Sequence, residues 1–213
     1  LNKIESFIIL FLYSCLPGIA TYKTSDKIIK LKLFYKKMNE LVNTKWLFNN
    51  LDNENLVILD CSWFLPSENK DPEKFYKKKH IKGSHFFNIN KISNNKNKFP
   101  NTIPEMEYFI KEIINFNINN KSKIIAYGSD NILGPSRAWW MFKYFGFNSI
   151  FILNGGLGKW VREKKPTTKK ISKKKISKFF FNIDVNLIAK KNFLLKNLKK
   201  KKQLVFDARN KNR

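Results

Sequence analysis

The sequence predicts an α/β domain in which a central parallel sheet carries helices on both faces. Two observations lead there. Short apolar runs, LVILD at 56–60, IIAY at 124–127 and IFIL at 150–153, alternate with amphipathic stretches, the pattern of strands covered on both faces. The chain is also 43% hydrophobic with 20 Phe, enough to bury a core. In such folds the chemistry sits just past the carboxyl end of a strand, which makes the loop 128–136 the first place to look.

The elements follow in order. Thr44 is expected to cap a short helix reaching Leu51, and the run 56–60 is a buried strand ending in Cys61-Ser62-Trp63. After a Pro-containing loop, Asp71 caps a helix with Pro72 in its first position; three lysines at 77–79 suit the negative end of the helix dipole. His80 to Ser84 reads as a turn into a short strand over 85–89. Pro104 opens the clearest helix, where Met106, Phe109, Ile110, Ile113 and Ile114 form one stripe. Strands at 124–127 and 150–153 then bracket a helix over 136–145, and Gly155-Gly156 turns the chain into a helix over 157–164. Beyond Lys165 the composition changes: PTTKKISKKKISK has no apolar periodicity and reads as a solvated, lysine-rich linker over 166–181. Residues 179–183 look extended, 189–199 helical, and QLVFDAR at 203–209 resembles another buried strand. A helix followed by LVILD in one place and LVFD in the other is a weak internal repeat.

Composition narrows the function. A net charge of +26 suggests a polyanion partner, but only Arg137, Arg162, Arg209 and Arg213 among 42 basic residues are Arg, the residue suited to bidentate phosphate contacts. Lys rises together with Asn, Ile and Phe, whose codons are A/T-rich, so a biased genome accounts for the charge. Nucleic acid is therefore not the expected main partner, nor is a membrane. The two cysteines, Cys15 and Cys61, form no disulfide framework and point to a reducing, cytoplasmic setting. His80 and His85 lack the spacing of a metal site, so no metal or cofactor is expected.

The first Met is Met38. Before it, the apolar run at 7–20 is too short and too interrupted by Pro17 and Gly18 for a membrane span. Residues 1–37 are expected to lie outside the folded protein; were they a targeting segment, the location would be mitochondrial, although the stretch has no Arg and carries Glu5.

Five segments carry a resemblance: LVILDCSWFLP, DPEKFYKKKHIKGSHFFNI, YGSDNILGPSRAWWMFKYFGF, LNGGLGKW and QLVFDARNKNR. In this order and spacing they resemble the two-domain rhodaneses, most closely the 3-mercaptopyruvate and thiosulfate sulfurtransferases, from about Leu41 to the last residue. The resemblance implies an α/β rhodanese-like domain over 41–165, the linker 166–181, and an incomplete second rhodanese domain over 182–213, with Met38 as a start. It implies transfer of a sulfane sulfur from mercaptopyruvate or thiosulfate to a thiol or cyanide through a cysteine persulfide. A thiolate on such a loop is stabilised by backbone N–H groups and a helix N-terminus. That cysteine belongs to the second domain, here expected beyond Arg213; the loop 128–136 contains no Cys, so the chain alone is expected to be inactive.

The resemblance also assigns residues. Arg209 and Arg213 match the donor-binding arginines at the start of the second domain, a role that suits a forked guanidinium; alternatively Arg209 forms a structural ion pair and Arg213 is a frayed terminus. Asp71 and His80 fall in a segment near the domain interface, where His80 supports proton movement or, more simply, Asp71 caps a helix and His80 is a bonded turn residue. Cys61 follows a strand but is flanked by Trp63, Phe64 and Leu65, the setting of a buried inert thiol. Trp139 and Trp140 read as packing, one toward the sheet and one toward a partner domain. The rival reading is a catalytically inactive rhodanese domain that serves as a binding module.

Overall fold

The computed structural model describes residues 40–94, 97, 99, 101–129, 131–173, 175–202 and 205. The segment 1–37, the expected strand at 203–209, and both Arg209 and Arg213 lie outside the described residues, apart from Val205. Described residues up to Asn182 form one compact unit; those from Ile183 onward belong to another, containing the helix Lys191–Lys200.

The first unit is built on five parallel strands: β1 (Leu41–Val42), β2 (Leu56–Asp60), β4 (Ser84–Phe86), β5 (Lys123–Tyr127) and β6 (Ile150–Leu153). Their order across the sheet is β1-β6-β5-β2-β4. β2 and β5 pair over their whole length, Leu56 opposite Lys123 and Asp60 opposite Tyr127, so both strands end at the same level. Alternate residues face opposite layers. Val57, Leu59, Ile124 and Ala126 face one core together with Phe109, Ala138, Met141 and Phe142. Ile58, Ile125 and Tyr127 face the other with Leu47, Leu157 and Trp160. Burying both faces is what makes the strand sequences continuously apolar, and each large side chain so buried contributes about 1.5–3 kcal/mol.

The helices deliver these contacts. α1 (Thr44–Asn49) and α5 (Gly156–Arg162) cover one face; α3 (Met106–Ile113) and α4 (Leu133–Tyr144) cover the other. α2 (Pro72–Lys78) starts as the sequence predicts, with Asp71 accepting from the Glu73 and Lys74 amides. Several boundaries differ. The cap of α1 is Asn43, whose side chain accepts from Trp46 N, and Thr44 instead donates to Glu163. α4 begins at Leu133, three residues before the expected start at Ser136, because Gly134 and Pro135 fit a first helical turn. β4 stops at Phe86, because its pairing with β2 ends at Asp60.

The lysine-rich stretch departs from expectation. Its described lysines 169, 170, 173, 175 and 178 are exposed, as a solvated linker requires, but its backbone is bonded to the domain. Trp160 Nε1 donates to Pro166 O; β7 (Thr167–Thr168) then pairs antiparallel with β3 (His80–Ile81). Further along, Lys175 exchanges backbone bonds with the 115–117 turn, and Ser177 Oγ donates to Ile118 O at 2.5 Å. Phe179 and Phe181 then pack on the core, with Phe179 4.9 Å from Phe147. The segment ends where Asn182 N donates to Phe145 O. The described residues of 166–182 thus form a belt on the domain. No strand forms at 179–183.

Candidate functional site

Because β2 and β5 end together, the turns that follow them lie side by side, and the sheet's carboxyl edge becomes a single polar layer. Cys61 N donates to Tyr127 O, carrying the ladder one residue further. Ser62 Oγ then joins the two turns: it donates to Asp60 Oδ1 at 2.5 Å and accepts from Ser129 N at 2.9 Å. Asn131 braces the β5 turn by donating through Nδ2 to Trp63 O and accepting from Leu133 N. Beneath them Tyr127 hydroxyl bonds Ser84 Oγ and accepts from Ile81 N.

Asp60 sits inside this layer with 1% of its surface exposed. Burial raises its carboxyl above the ordinary 3.8, and the bonds from Ser62 together with the nearby Tyr127 hydroxyl and His80 oppose that rise. Tyr127 is raised well above its ordinary value, first by burial and then by the Asp60 charge. This Asp60–Ser62–Ser84–Tyr127 network was not singled out in the sequence. Its only signal was an apolar run closing on Asp, a residue rarely buried without partners.

The β5 turn is filled by its own backbone. A Cβ on Gly128 would stand 2.5 Å from the Asn131 carbonyl oxygen and 3.2 Å from Pro135 Cγ. Gly134, in the first turn of α4, passes so close to β2 that a Cβ would come within 1.7 Å of Cys61 O. Gly156 closes the other side: its positive φ of 53° aims Leu157 N at Gly128 O, 2.9 Å away. The double glycine therefore serves contact between two turns. An anionic sulfur needs a ring of inward N–H groups; a carbonyl stands at this place instead.

The other candidates fall as follows. Cys61 is fully buried, its S–H donates to Leu59 O, and burial followed by the Asp60 charge raises its thiol well above 9.0, so no thiolate nucleophile is available there. Asp71 is the α2 cap. His80 is buried between two backbone carbonyls, those of Tyr76 and Lys170. Trp139 Nε1 donates to Glu40, and Trp140 stacks under the Arg137 guanidinium at 4.8 Å. Arg137 donates to Asn101 O, and burial lowers it to about 10. Among the described residues no helix is long and apolar enough to cross a membrane.

A parallel sheet covered on both faces, with a short turn joining β5 to the following helix, defines an α/β domain. The chain belongs to the rhodanese-like domain family, whose model matches residues 43–163. Thiosulfate/3-mercaptopyruvate sulfurtransferase 1, mitochondrial, of Arabidopsis thaliana is 36% identical over 120 residues, covering 56% of this chain and 32% of that protein. Thiosulfate sulfurtransferase of Cricetulus griseus is 29% identical over 175 residues, 79% of this chain and 59% of that one. The crystal structure of SseA from Escherichia coli, a 3-mercaptopyruvate sulfotransferase, shares the fold with a TM-score of 0.72 at 24% identity, over 76% of this chain and 62% of that chain. The chain spans less than two thirds of each of these proteins.

Proposed function

We propose that residues 41–165 act as the non-catalytic first domain of a two-domain sulfurtransferase, with 166–181 linking it to the second. The whole enzyme moves a sulfane sulfur from thiosulfate or 3-mercaptopyruvate to a thiol or cyanide. With thiosulfate, a cysteine thiolate attacks the outer sulfur, and sulfite leaves with the bonding pair. The resulting persulfide gives its terminal sulfur to cyanide or a thiolate, and the cysteine thiolate is released. No external oxidant is needed. In this reading the nucleophile belongs to the second domain, which opens at residue 182, and Arg209 and Arg213 in its opening stretch hold the donor's anionic group.

The observation that carries the reading is the β5 turn. It has the family's position for chemistry, yet Asn131 O occupies the space beside residue 128 and the turn contains no cysteine. The curated relatives that carry sulfurtransferase names support the activity class.

Two assays test it: thiocyanate formation from thiosulfate and cyanide, and pyruvate formation from 3-mercaptopyruvate and a thiol. The 213-residue chain is expected to give neither product, and Cys61→Ser to change nothing. Turnover that vanishes in Cys61→Ser overturns the reading. Gly128→Cys is expected to remain inactive, because its Cβ meets the Asn131 carbonyl; the strain costs about 1–3 kcal/mol.

A further inference from the structure

His80 is 0% exposed at the point where α2, β3 and the belt meet. Its Nδ1 lies 2.7 Å from Tyr76 O, and its Nε2 lies 3.2 Å from Lys170 O. The first carbonyl belongs to the last turn of α2, where helical carbonyls run out of backbone donors. The second belongs to the belt, two residues beyond its pairing with β3. A neutral imidazole has one N–H and one bare nitrogen, so it can bond only one of these oxygens and turns a lone pair toward the other. An imidazolium carries two N–H groups and bonds both.

Several elements contribute groups that face the ring. The C-terminal end of a helix favours a cation, and α2 presents the Tyr76 ring stacked on the imidazole at 4.0 Å. From β2, the Asp60 carboxyl is close enough to feel the charge of His80. From β5, the Tyr127 hydroxyl bonds the neighbouring Ile81 amide. Lys79 and Lys170, the adjoining cations of α2 and the belt, hold their side chains at the exposed surface.

We propose that His80 is a proton-operated buckle: as an imidazolium it clasps the belt to the end of α2, and on losing its proton it releases the 167–170 end. The clasp is complete while the ring carries both protons and weakens when one is lost, because only the protonated ring has a donor for each carbonyl. Release loosens the 167–170 end alone, because the bonds of Lys175, Ser177 and Asn182 keep the rest of the belt on the domain.

Ring protonation is read directly by nitrogen-15 NMR of the full chain at about pH 6, with His85 as an internal comparison. Both His80 nitrogens are expected to carry protons. Amide exchange across β3 and β7, corrected for the intrinsic rate, is expected to speed up about tenfold as pH rises from about 6 to about 8.5, the loss of one charge-assisted hydrogen bond. His80→Phe keeps an aromatic stack and has no ring donor; its exchange is expected to be faster at all pH values, with no titration. A single protonated nitrogen at about pH 6, or pH-independent exchange in the unsubstituted chain, overturns the proposal. The NMR result stands alone if the variant does not fold.

Discussion

The β5 turn and the belt are both irregular segments, and their compositions mislead in opposite directions. The turn has small residues, glycines and the position of an active-site loop, yet its backbone is spent on itself and on its neighbours: Gly128 O on Leu157 N, Ser129 N on Ser62, and Asn131 O beside Gly128. The belt has the composition of a solvated spacer, yet its backbone is bonded to the domain from Pro166 to Asn182. Side chains decide what a segment looks like in a sequence. Where its amides and carbonyls go decides what it is.

If that contrast is right, the turn should tolerate added atoms worst. Gly134→Ala places a methyl within 1.7 Å of Cys61 O and is expected to destabilise the domain by about 3 kcal/mol or more, read as a lower urea midpoint. A tolerated alanine would mean that the turn and β2 are not locked together.

The belt should depend next on its aromatic anchors. Phe179→Ala removes a half-buried ring from Phe147 and Phe181 and is expected to cost about 2 kcal/mol, with faster proteolysis in 169–178. Cleavage unchanged from the parent chain would reduce the belt to a surface tether.

A smaller effect belongs to Asp60. Because burial raises its folded-state value above the ordinary 3.8, the folded form holds its proton longer than the unfolded chain. Stability is therefore expected to fall as pH rises from about 3.8 through the raised value, since the unfolded state ionises first. Asp60→Asn, which still accepts from Ser62, should flatten that part of the stability–pH curve. An unchanged slope would place the titration elsewhere.

The smallest effect sharpens the contrast most. Replacing Lys169, Lys173 and Lys178 together by Ala should change stability by less than about 0.5 kcal/mol per site, because these side chains are exposed. A large loss would mean that charge, and not the backbone, holds the belt.

What the sequence made legible was the periodic part. The apolar runs of β2, β5 and β6, the α3 stripe and the Asp71–Pro72 start of α2 are written in local patterns, and they appear where expected. β1 is two residues long and exists because Glu40 O and Val42 O bond β6 and the turn after it, which no local pattern encodes. The belt and its His80 contact join residues 90 apart in sequence. At the site, the absence of a cysteine from the β5 turn was readable, but the Asn131 carbonyl beside Gly128 is a product of tertiary closure. Asp60 and Ser62 were visible as a strand end, whereas their partnership with Ser129 needed β2 and β5 to end at one level.

The tight seat of Gly134 on Cys61 carries a genetic consequence. Every amino acid reachable from a glycine codon by one base change has a Cβ, so each such replacement at residue 134 meets the same carbonyl. The position has no neutral amino-acid replacement within one base change. A population could drift at the lysines of 169–178 and leave the belt in place; at residue 134 drift has nowhere to begin.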